Sequence, residues 1–466
     1  MKNSIVRFRR ISINNLKNVK HGEVSFLNPR RPDGPSILGM YGQNGSGKSA
    51  LIDALEIIQQ CMTGRRLRKH LAQSINVDAD YCSIECELSI HKLDNNTIYR
   101  VVYSFKVKKG DDKSYQSLRV FDEKLALANE TPGNKSRLTT FIDTSGDGIF
   151  RPVSKYKQFI GNGDEKGIKL AVEKKLAYRE SRSFVFSAPL LRSIIDTRST
   201  SNKWLQAGDD AIDAIEALNN FSLFQMFVLN IRNAGILALD ALPFVFRIVA
   251  DKKTWGGGAL LRTKGVQVIP EEIYKPVCSA IENMNIVLRE LVPGLEVSLL
   301  KIGTEIMDNG ERGINVQLVS VRGNCTIPFS CESEGIKRIV SFLHLLILVF
   351  NDPSVTVAID EIDSGVFEYL LGELLGILAE HGQGQLIFTS HNLRPLETID
   401  RGFIAFTTTN PFERYIRIAN AKSSNNLRDL YYRGVVLGGQ KERLYEPTNN
   451  GDIELAFIEA GVLSEE

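Results

Sequence analysis

The sequence predicts an α/β fold with an antiparallel β subdomain and a helical insertion. Residues 37–41 form an apolar run that ends in a glycine-rich turn, and apolar residues at helical spacing follow that turn. Residues 81–107 alternate apolar and polar side chains with a period of two, which indicates an antiparallel meander. The last part of the chain alternates strand and helix patterns. We therefore divide the chain into an N-terminal lobe (1–191), a helical insertion (192–291) and a C-terminal lobe (292–466).

Between these patterns the sequence is less regular. Residues 129–167 are rich in Gly, Asn, Asp and Ser, and we expect loops and a small lid there. Residues 192–233 and 270–291 have helical spacing, while Trp255 and the three glycines after it indicate a mobile loop between them. Residues 108–114 are polar and predict a hairpin tip.

The composition is typical of a globular chain, since 43% of its 466 residues are hydrophobic and 24% are charged. The net charge of +2 argues neither for nor against nucleic acid, so only a local patch could bind it. No apolar signal segment follows Met1, and the longest apolar run, residues 339–350, is too short to span a bilayer. The spacings of the six cysteines match no common zinc site. We therefore expect buried free thiols, a cytoplasmic protein and no membrane partner.

The turn after the first apolar run fits the phosphate-loop pattern at every fixed position. Its glycines let backbone N–H groups surround a phosphate, and the helix that follows adds its positive N-terminus. Lys48 can reach the β- and γ-phosphates, and the Ser49 hydroxyl can complete a Mg²⁺ shell. The order of strand, loop and helix disfavours a chance glycine turn, so we predict that the chain binds a nucleoside triphosphate. The predicted contacts are Gly42, Asn44, Gly45, Ser46, Gly47, Lys48, Ser49 and Ala50.

A second apolar strand pattern, residues 355–359, ends in the adjacent carboxylates Asp360 and Glu361. Open α/β sheets place their ligands at the carboxyl ends of the strands. We therefore expect Asp360 to serve the Mg²⁺ shell and Glu361 to polarise an attacking water, with a helix N-cap pair as the alternative. His391 follows a third apolar strand pattern, residues 385–389, where it could hydrogen-bond a γ-phosphate or be structural.

Three strings of the sequence, GQNGSGKS, VTVAIDEIDSG and FTSHN, resemble the ABC-type ATPase head of the SMC, Rad50 and RecF proteins. They most closely resemble the OLD-like, AAA_15-type prokaryotic ATPases. The resemblance implies an ABC/SMC-like P-loop NTPase head with a mixed central sheet, and it implies ATP and Mg²⁺ as cofactors. It also implies Lys48, Glu361 and His391 as catalytic residues.

The resemblance further implies a signature motif one helix before the acidic strand. Ser333 and Gly335 stand there, with Glu334 where transporters carry glycine, and residues 363–365 stand in the D-loop position. In the family, a signature serine binds the γ-phosphate held by the opposite subunit. The chain is therefore expected to form a homodimer or higher homo-oligomer through ATP-sandwiched heads. Many family members carry a long coiled coil in the middle, whereas this chain shows no sustained heptads.

These features predict an ATP-binding and hydrolysing conformational switch. Many compact members of the implied family belong to anti-phage systems, including the ATPase halves of PARIS-like pairs. We therefore expect a sensor or scaffold ATPase that controls a separate effector protein. The alternatives are a RecF- or Rad50-like DNA-binding repair ATPase, a transporter's nucleotide subunit and an OLD-type nuclease in one chain. Nucleic acid is a candidate partner of the basic cluster at residues 65–70, which a solvated helix end explains more simply.

Overall fold

A computed structural model gives the fold. The described residues are 4–27, 36–110, 117–161, 164–200, 206–230, 241–250, 253–418, 426–436, 442–446 and 449–462. The strands are β1 (Ser4–Leu16), β2 (Val19–Ser25), β3 (Ser36–Tyr41), β4 (Tyr81–Lys92), β5 (Thr97–Lys109), β6 (Leu118–Asn129), β7 (Thr139–Asp143), β8 (Met226–Leu229), β9 (Ala241–Ala250), β10 (Lys253–Arg262), β11 (Val266–Pro270), β12 (Glu296–Ile306), β13 (Arg312–Arg322), β14 (Cys325–Pro328), β15 (Thr356–Ile359), β16 (Gln385–Thr389), β17 (Ile404–Thr407) and β18 (Tyr415–Ile416). The helices are α1 (Lys48–Met62), α2 (Val153–Ile160), α3 (Asp164–Arg179), α4 (Ala188–Thr200), α5 (Gln206–Phe224), α6 (Glu271–Leu291), α7 (Glu334–Asn351), α8 (Glu368–His381), α9 (Pro395–Thr398), α10 (Leu427–Val436) and α11 (Asn450–Val462).

The central sheet has six strands in the order β18-β17-β3-β16-β15-β8. The strands from β17 to β8 run parallel, and β18 pairs antiparallel with β17, so the sheet is mixed as predicted. Strands β3, β15 and β16 are buried along their whole length, which is why their sequences are continuous apolar runs. Their carboxyl ends meet at the edge of the sheet that carries the glycine-rich loop.

The predicted meander is part of a six-stranded antiparallel sheet in the order β2-β1-β4-β5-β6-β7. Side chains of β5 alternate between buried and partly exposed, because one face of this sheet packs and the other meets solvent. Helix α1 lies between the two large sheets, in contact with β1 and β4 on one side and with β8 and β15 on the other. The predicted hairpin tip falls partly on residues 111–116, which lie outside the described residues.

One buried amide connects the two large sheets. Gln385 begins β16, and its Oε1 accepts a hydrogen bond from the Phe8 N–H of β1 at 2.7 Å while its Nε2 donates to the Phe8 carbonyl at 2.9 Å. Nε2 also donates to Ser36 Oγ at 3.1 Å, and Oε1 accepts from Thr356 Oγ1 at 3.2 Å. Gln385 is 1% exposed, so its polar atoms are satisfied inside the core.

A third sheet, in the order β11-β13-β12 with β14 also paired to β13, packs against α6. Strands β9 and β10 form a separate antiparallel pair. Of the cysteines, Cys61, Cys82 and Cys86 are buried free thiols as expected, whereas Cys325 and Cys331 are free and exposed, contrary to the expectation. Among the described helices, none combines the length and the apolar character that crossing a membrane requires.

Three regions differ from the sequence prediction. Residues 226–229, expected to continue a helix, form β8 because parallel pairing with β15 satisfies their backbone groups. Trp255 and its three glycines, expected as a mobile loop, lie within β10. Residues 129–167, expected as loops and a lid, contain β7, α2 and the start of α3. The insertion at residues 192–291 therefore carries strands as well as the predicted helices α5 and α6.

Candidate nucleotide-binding site

The glycine-rich loop lies between β3 and α1, at the carboxyl edge of the central sheet. Gly42, Gly45 and Gly47 have φ angles of 149°, 74° and 97°, in the left-handed region that favours glycine. A Cβ on Gly42 would lie 1.8 Å from Thr407 Oγ1, so this position has no room for a side chain. Asn44 and Gly45 are exposed at the tip of the loop. The backbone can therefore curl around a phosphate.

The first turn of α1 adds a cation to this loop. The buried Lys48 side chain donates from Nζ to the carbonyl oxygens of Gly42 at 2.7 Å and Gln43 at 3.0 Å. Burial lowers the pKa of Lys48, and the nearby carboxylates Asp360, Glu361 and Asp363 oppose that shift. Ala50 is buried in the same turn and anchors the helix in the core. The ammonium group thus lies inside the loop, where it can meet the phosphates of a nucleotide.

Asp360 and Ser49 approach each other beside the loop. The Ser49 hydroxyl donates to Asp360 Oδ1 at 3.3 Å, and Thr389 Oγ1 donates to the same oxygen at 2.6 Å. Asp360 is 1% exposed, and within the described part of the chain its Oδ2 has no hydrogen-bond partner. Burial raises the pKa of Asp360, although the hydrogen bonds from Thr389 and Ser49 oppose the shift. Mg²⁺ prefers oxygen ligands, so this orphaned carboxylate oxygen beside a hydroxyl fits the implied metal.

Glu361 follows in a turn that two contacts hold in place. Its φ of 46° is uncommon for a residue other than glycine. Its backbone N–H donates to Thr389 Oγ1 at 2.7 Å, and Arg338 Nη2 donates at 3.0 Å to the carbonyl oxygens of both Asp360 and Glu361. Burial lowers the pKa of the Arg338 guanidinium, which the nearby acidic groups oppose. The half-buried Glu361 side chain is therefore presented at the same edge of the sheet as Asp360.

The predicted signature residues lie at the start of α7. Ser333 is exposed, and its hydroxyl caps the helix by accepting a hydrogen bond from the Ile336 N–H at 3.3 Å. Gly335 packs against the D-loop, since a Cβ there would lie 2.5 Å from the carbonyl oxygen of Gly365. The N-terminus of α7 is thus open to solvent while its first turn touches the D-loop of the same chain.

His391 lies just after β16, which pairs with β15, and its side chain is exposed. Its backbone N–H donates to Asp363 Oδ2 at 3.0 Å, and the N–H of Asn392 donates to the same oxygen at 2.8 Å. The D-loop carboxylate thus holds the backbone around His391. The structure brings His391 to the same edge of the sheet as Lys48 and Glu361, and its role with the γ-phosphate stays a prediction.

Arg338 and two further side chains of the site were missed by the sequence analysis. Thr407, in β17, contacts the Ser46 hydroxyl, and Tyr415, in β18, donates from its hydroxyl to the Gly47 carbonyl at 3.0 Å. These two strands are distant from the loop in sequence and close to it only because β17 pairs with β3. The sequence offered one indication of Thr407, which is a polar residue at the end of the apolar strand β17.

The basic cluster at residues 65–70 is partly used inside the fold. Arg68 Nη1 lies 3.0 Å from Oε1 of the buried Glu56 of α1, and Arg66 Nε donates to the Glu180 carbonyl at 3.0 Å. These contacts favour the structural explanation of the cluster over contact with nucleic acid.

A mixed sheet whose parallel strands carry this loop, this cation and this acidic pair at one edge is typical of a phosphate-loop ATPase. Residues 10–222 match a family model described as an AAA domain, AAA_23. The match spans the phosphate loop and the antiparallel sheet, and it supports a general ATP-binding and hydrolysing role. No curated protein matches the sequence.

Several solved structures are similar to the chain at low identity. One is an Smc head bound to the C-winged helix domain of ScpA, with a TM-score of 0.39 and 12% identity over 89% of this chain and 98% of the other. Another is an SMC head domain from Thermotoga maritima, with a TM-score of 0.36 and 13% identity over 88% and 99% of the two chains. A third is RecF with ATP from the RecFOR pathway, with a TM-score of 0.34 and 14% identity over 83% and 94%. The family match supports the predicted ATPase head, while the OLD-like, AAA_15-type and PARIS-like assignments stay predictions.

Proposed function

We propose that the protein is an ATP-driven conformational switch in which two copies hold two ATP molecules between their heads. The position of the signature helix carries this proposal. Ser333 is exposed at the start of α7, whereas Lys48 is buried in the phosphate loop. An exposed serine at an open helix N-terminus is half of an anion site, and a second copy supplies the phosphates that complete it.

Each residue at the edge of the sheet has a role in this proposal. ATP bound with Mg²⁺ supplies the phosphoanhydride that is hydrolysed. The loop N–H groups and Lys48 would hold the phosphates, while Ser49 and Asp360 would hold the metal. Glu361 orients the attacking water and accepts its proton, and Thr389 fixes Glu361 by accepting its backbone N–H.

The switch, in our proposal, controls a separate effector as the sensor or scaffold ATPase of a prokaryotic anti-phage system. A head that hydrolyses ATP acts on a partner by holding it in one state and releasing it in another. We assign the partner surface to residues 192–291 and to the segment after Asn410. The purified protein is expected to hydrolyse ATP slowly and to leave DNA and RNA uncut. Robust nuclease activity that survives Lys48→Ala would contradict this assignment.

A RecF- or Rad50-like DNA-binding ATPase is the alternative outcome. On the solvent face of the antiparallel sheet, Arg10 pairs with Glu23 and Glu85, and Lys106 pairs with Asp122. These two basic side chains are therefore matched by carboxylates, which does not favour a phosphate backbone beside them. Tight binding of duplex DNA that weakens steeply with salt would support the alternative.

The shared site can be tested with two variants that fail for different reasons. Lys48→Ala removes the cation in the loop, so ATP binding should be largely lost. Ser333→Asp keeps a good helix cap, so the fold should be kept, but it places a negative charge where the partner's γ-phosphate would lie. This variant should bind ATP and hydrolyse it poorly.

A mixture of the two variants has one intact composite site in each mixed dimer. With free exchange of subunits, activity should recover to about a quarter of the parent rate, because half of the dimers are mixed and each has one of two sites. Ser333→Thr, which keeps the hydroxyl, is the matched control and should retain activity. No recovery in a mixture whose exchange is proven by mass tags would count against sharing of the site between copies.

A further inference from the structure

Helix α3 carries an apolar stripe that faces away from the fold. Ile168, Val172 and Leu176 are four residues apart and are 65%, 52% and 40% exposed. Residues at this spacing lie on one face of a helix. The opposite face holds the buried Leu170 and Ala177, where α3 packs against β6 and α4. The stripe therefore lies on the solvent side of α3, and the packing of the helix within the fold does not require it to be apolar.

The charges on α3 are mostly basic. The helix has five Lys or Arg side chains and three acidic ones, which gives it a net charge of +2. Lys175 and Arg179 are exposed and follow Val172 and Leu176 by three residues, so they border the stripe. A partner for this face should combine apolar side chains with negative charge.

Helix α11 has that combination. Ile453 and Phe457 lie one turn apart and are 42% and 77% exposed, and Leu455 and Ile458, elsewhere on the helix, are 66% and 60% exposed. Asp452, Glu454 and Glu459 are its charged residues, and α11 contains no basic residue. The described residues of this helix are exposed from Asn450 to Ala460. Helix α11 thus presents exposed apolar side chains together with acidic ones.

We propose that α11 of one copy packs against the stripe of α3 in a second copy of this chain. The stripe of α3 and the exposed large side chains of α11 are both apolar, and the charges beside them are opposite. In the same copy α11 does not cover the stripe, because its residues from Asn450 to Ala460 are exposed. The chain before α11 is attached to the phosphate loop, where the Glu446 N–H donates to Gln43 Oε1 at 3.0 Å.

This contact joins different patches of two copies, so it either closes reciprocally between two copies or links copies in a ring or row. It is independent of nucleotide, unlike the pairing of heads proposed above. Where the two contacts join different pairs of copies, they would together build an assembly larger than a dimer. The contact should also weaken with salt, because its bordering charges are exposed.

Reversing the charges on α3 and on α11 tests whether the two helices attract each other, and the 466-residue chain is used without nucleotide. Lys175→Glu with Arg179→Glu, and separately Glu454→Lys with Glu459→Lys, should each weaken association about tenfold at low salt, as measured by sedimentation. A chain that carries all four changes should associate like the parent. If neither pair changes association, or if the four-fold variant is no better than the two pairs, the proposed contact is wrong. Thermal unfolding of each variant confirms that the fold is kept.

A cross-link distinguishes the second copy from the same copy. One chain carries Val172→Cys and another carries Phe457→Cys, and the two are mixed and oxidised without ATP. A cross-linked dimer above the background of each single variant alone is expected, with that background reporting the exposed Cys325 and Cys331. A cross-link that forms only when both changes are in one chain, and that gives a monomer, would overturn the proposal. Since no nucleotide is present, failure of the ATP-sandwiched pairing leaves this result unchanged.

Discussion

Gly335→Ala is the substitution for which the structure makes the sharpest prediction. The added methyl carbon would lie 2.5 Å from the carbonyl oxygen of Gly365, far inside van der Waals contact. Alanine has no rotamer that moves this carbon, and the opposing atom belongs to the backbone. Asp363 of the same D-loop accepts hydrogen bonds from the backbone N–H groups of His391 and Asn392, so the loop is also held on its other side. Either α7 or the D-loop must therefore move.

Overpacking of this kind costs about 1–3 kcal/mol of the free energy of unfolding. The functional effect should be larger, because the D-loop Asp363 holds the backbone of His391 and Asn392. A shift of about 1 Å at reacting groups lowers a rate by roughly 100-fold. We therefore expect ATP hydrolysis to fall by about that factor, while binding of a fluorescent ATP analogue changes little because the phosphate loop is untouched.

Gly376→Ala is the matched control. It also replaces a glycine within a helix, α8, but a Cβ there would meet no atom within 4 Å. Loss of glycine flexibility should stabilise this variant by about 0.5–1 kcal/mol and leave hydrolysis at the parent rate. Equal hydrolysis and equal urea stability of Gly335→Ala and the parent would refute the argument from the D-loop contact.

Three further predictions concern the catalytic role of Glu361, the pH dependence of stability and the reactivity of the cysteine thiols. Glu361→Gln should keep ATP binding and lower hydrolysis roughly 10²–10⁴-fold in a phosphate-release assay, because it removes the carboxylate that takes the proton. Burial raises the pKa of Glu123, so its charged form costs stability at neutral pH. As the pH falls from neutral towards the ordinary glutamate pKa, the free energy of unfolding of the parent should therefore rise relative to Glu123→Gln in urea titrations. Burial raises the pKa of Cys82 to about 12, so iodoacetamide at pH 8 should label Cys325 and Cys331 in the native protein and Cys82 only after unfolding, as read by mass spectrometry.

One outcome would contradict each of these three predictions. Unchanged ATP hydrolysis by Glu361→Gln would mean that another group acts as the general base. A constant difference between Glu123→Gln and the parent across this pH range would mean that the carboxyl has no raised pKa in the folded state. Labelling of native Cys82 as fast as that of Cys325 would mean that the strand β4 opens readily.

The sequence predicted the core of the site because its motifs are local. A phosphate loop fixes strand, turn and helix within a few residues, and the runs before Asp360 and His391 are buried on both faces, so they are apolar throughout. Strand β16 was predicted with the bounds that the structure has. The spacing of these motifs then placed three strand ends at one edge of a parallel sheet.

The features that the sequence did not predict depend on contacts between distant residues, or on segments too short to show a helix or strand period. Residues 226–229 are too few to separate a strand from the end of a helix, and their pairing with β15 decides the outcome. The contacts of Arg338 with the carbonyl oxygens after β15, and of Tyr415 with Gly47, depend on which elements become neighbours. No pattern within one element carries that information.

The amide of Gln385 couples the central sheet to the antiparallel sheet. Because it binds both the N–H and the carbonyl of Phe8, the antiparallel sheet is fastened to the strand that leads to His391. Sliding one sheet past the other would break the two buried hydrogen bonds between Gln385 and Phe8, while the bonds of Gln385 to Ser36 and Thr356 lie within the central sheet. The amide therefore resists sliding of the two sheets at this point. A displacement of β16 at the nucleotide would be passed to the antiparallel sheet through Phe8.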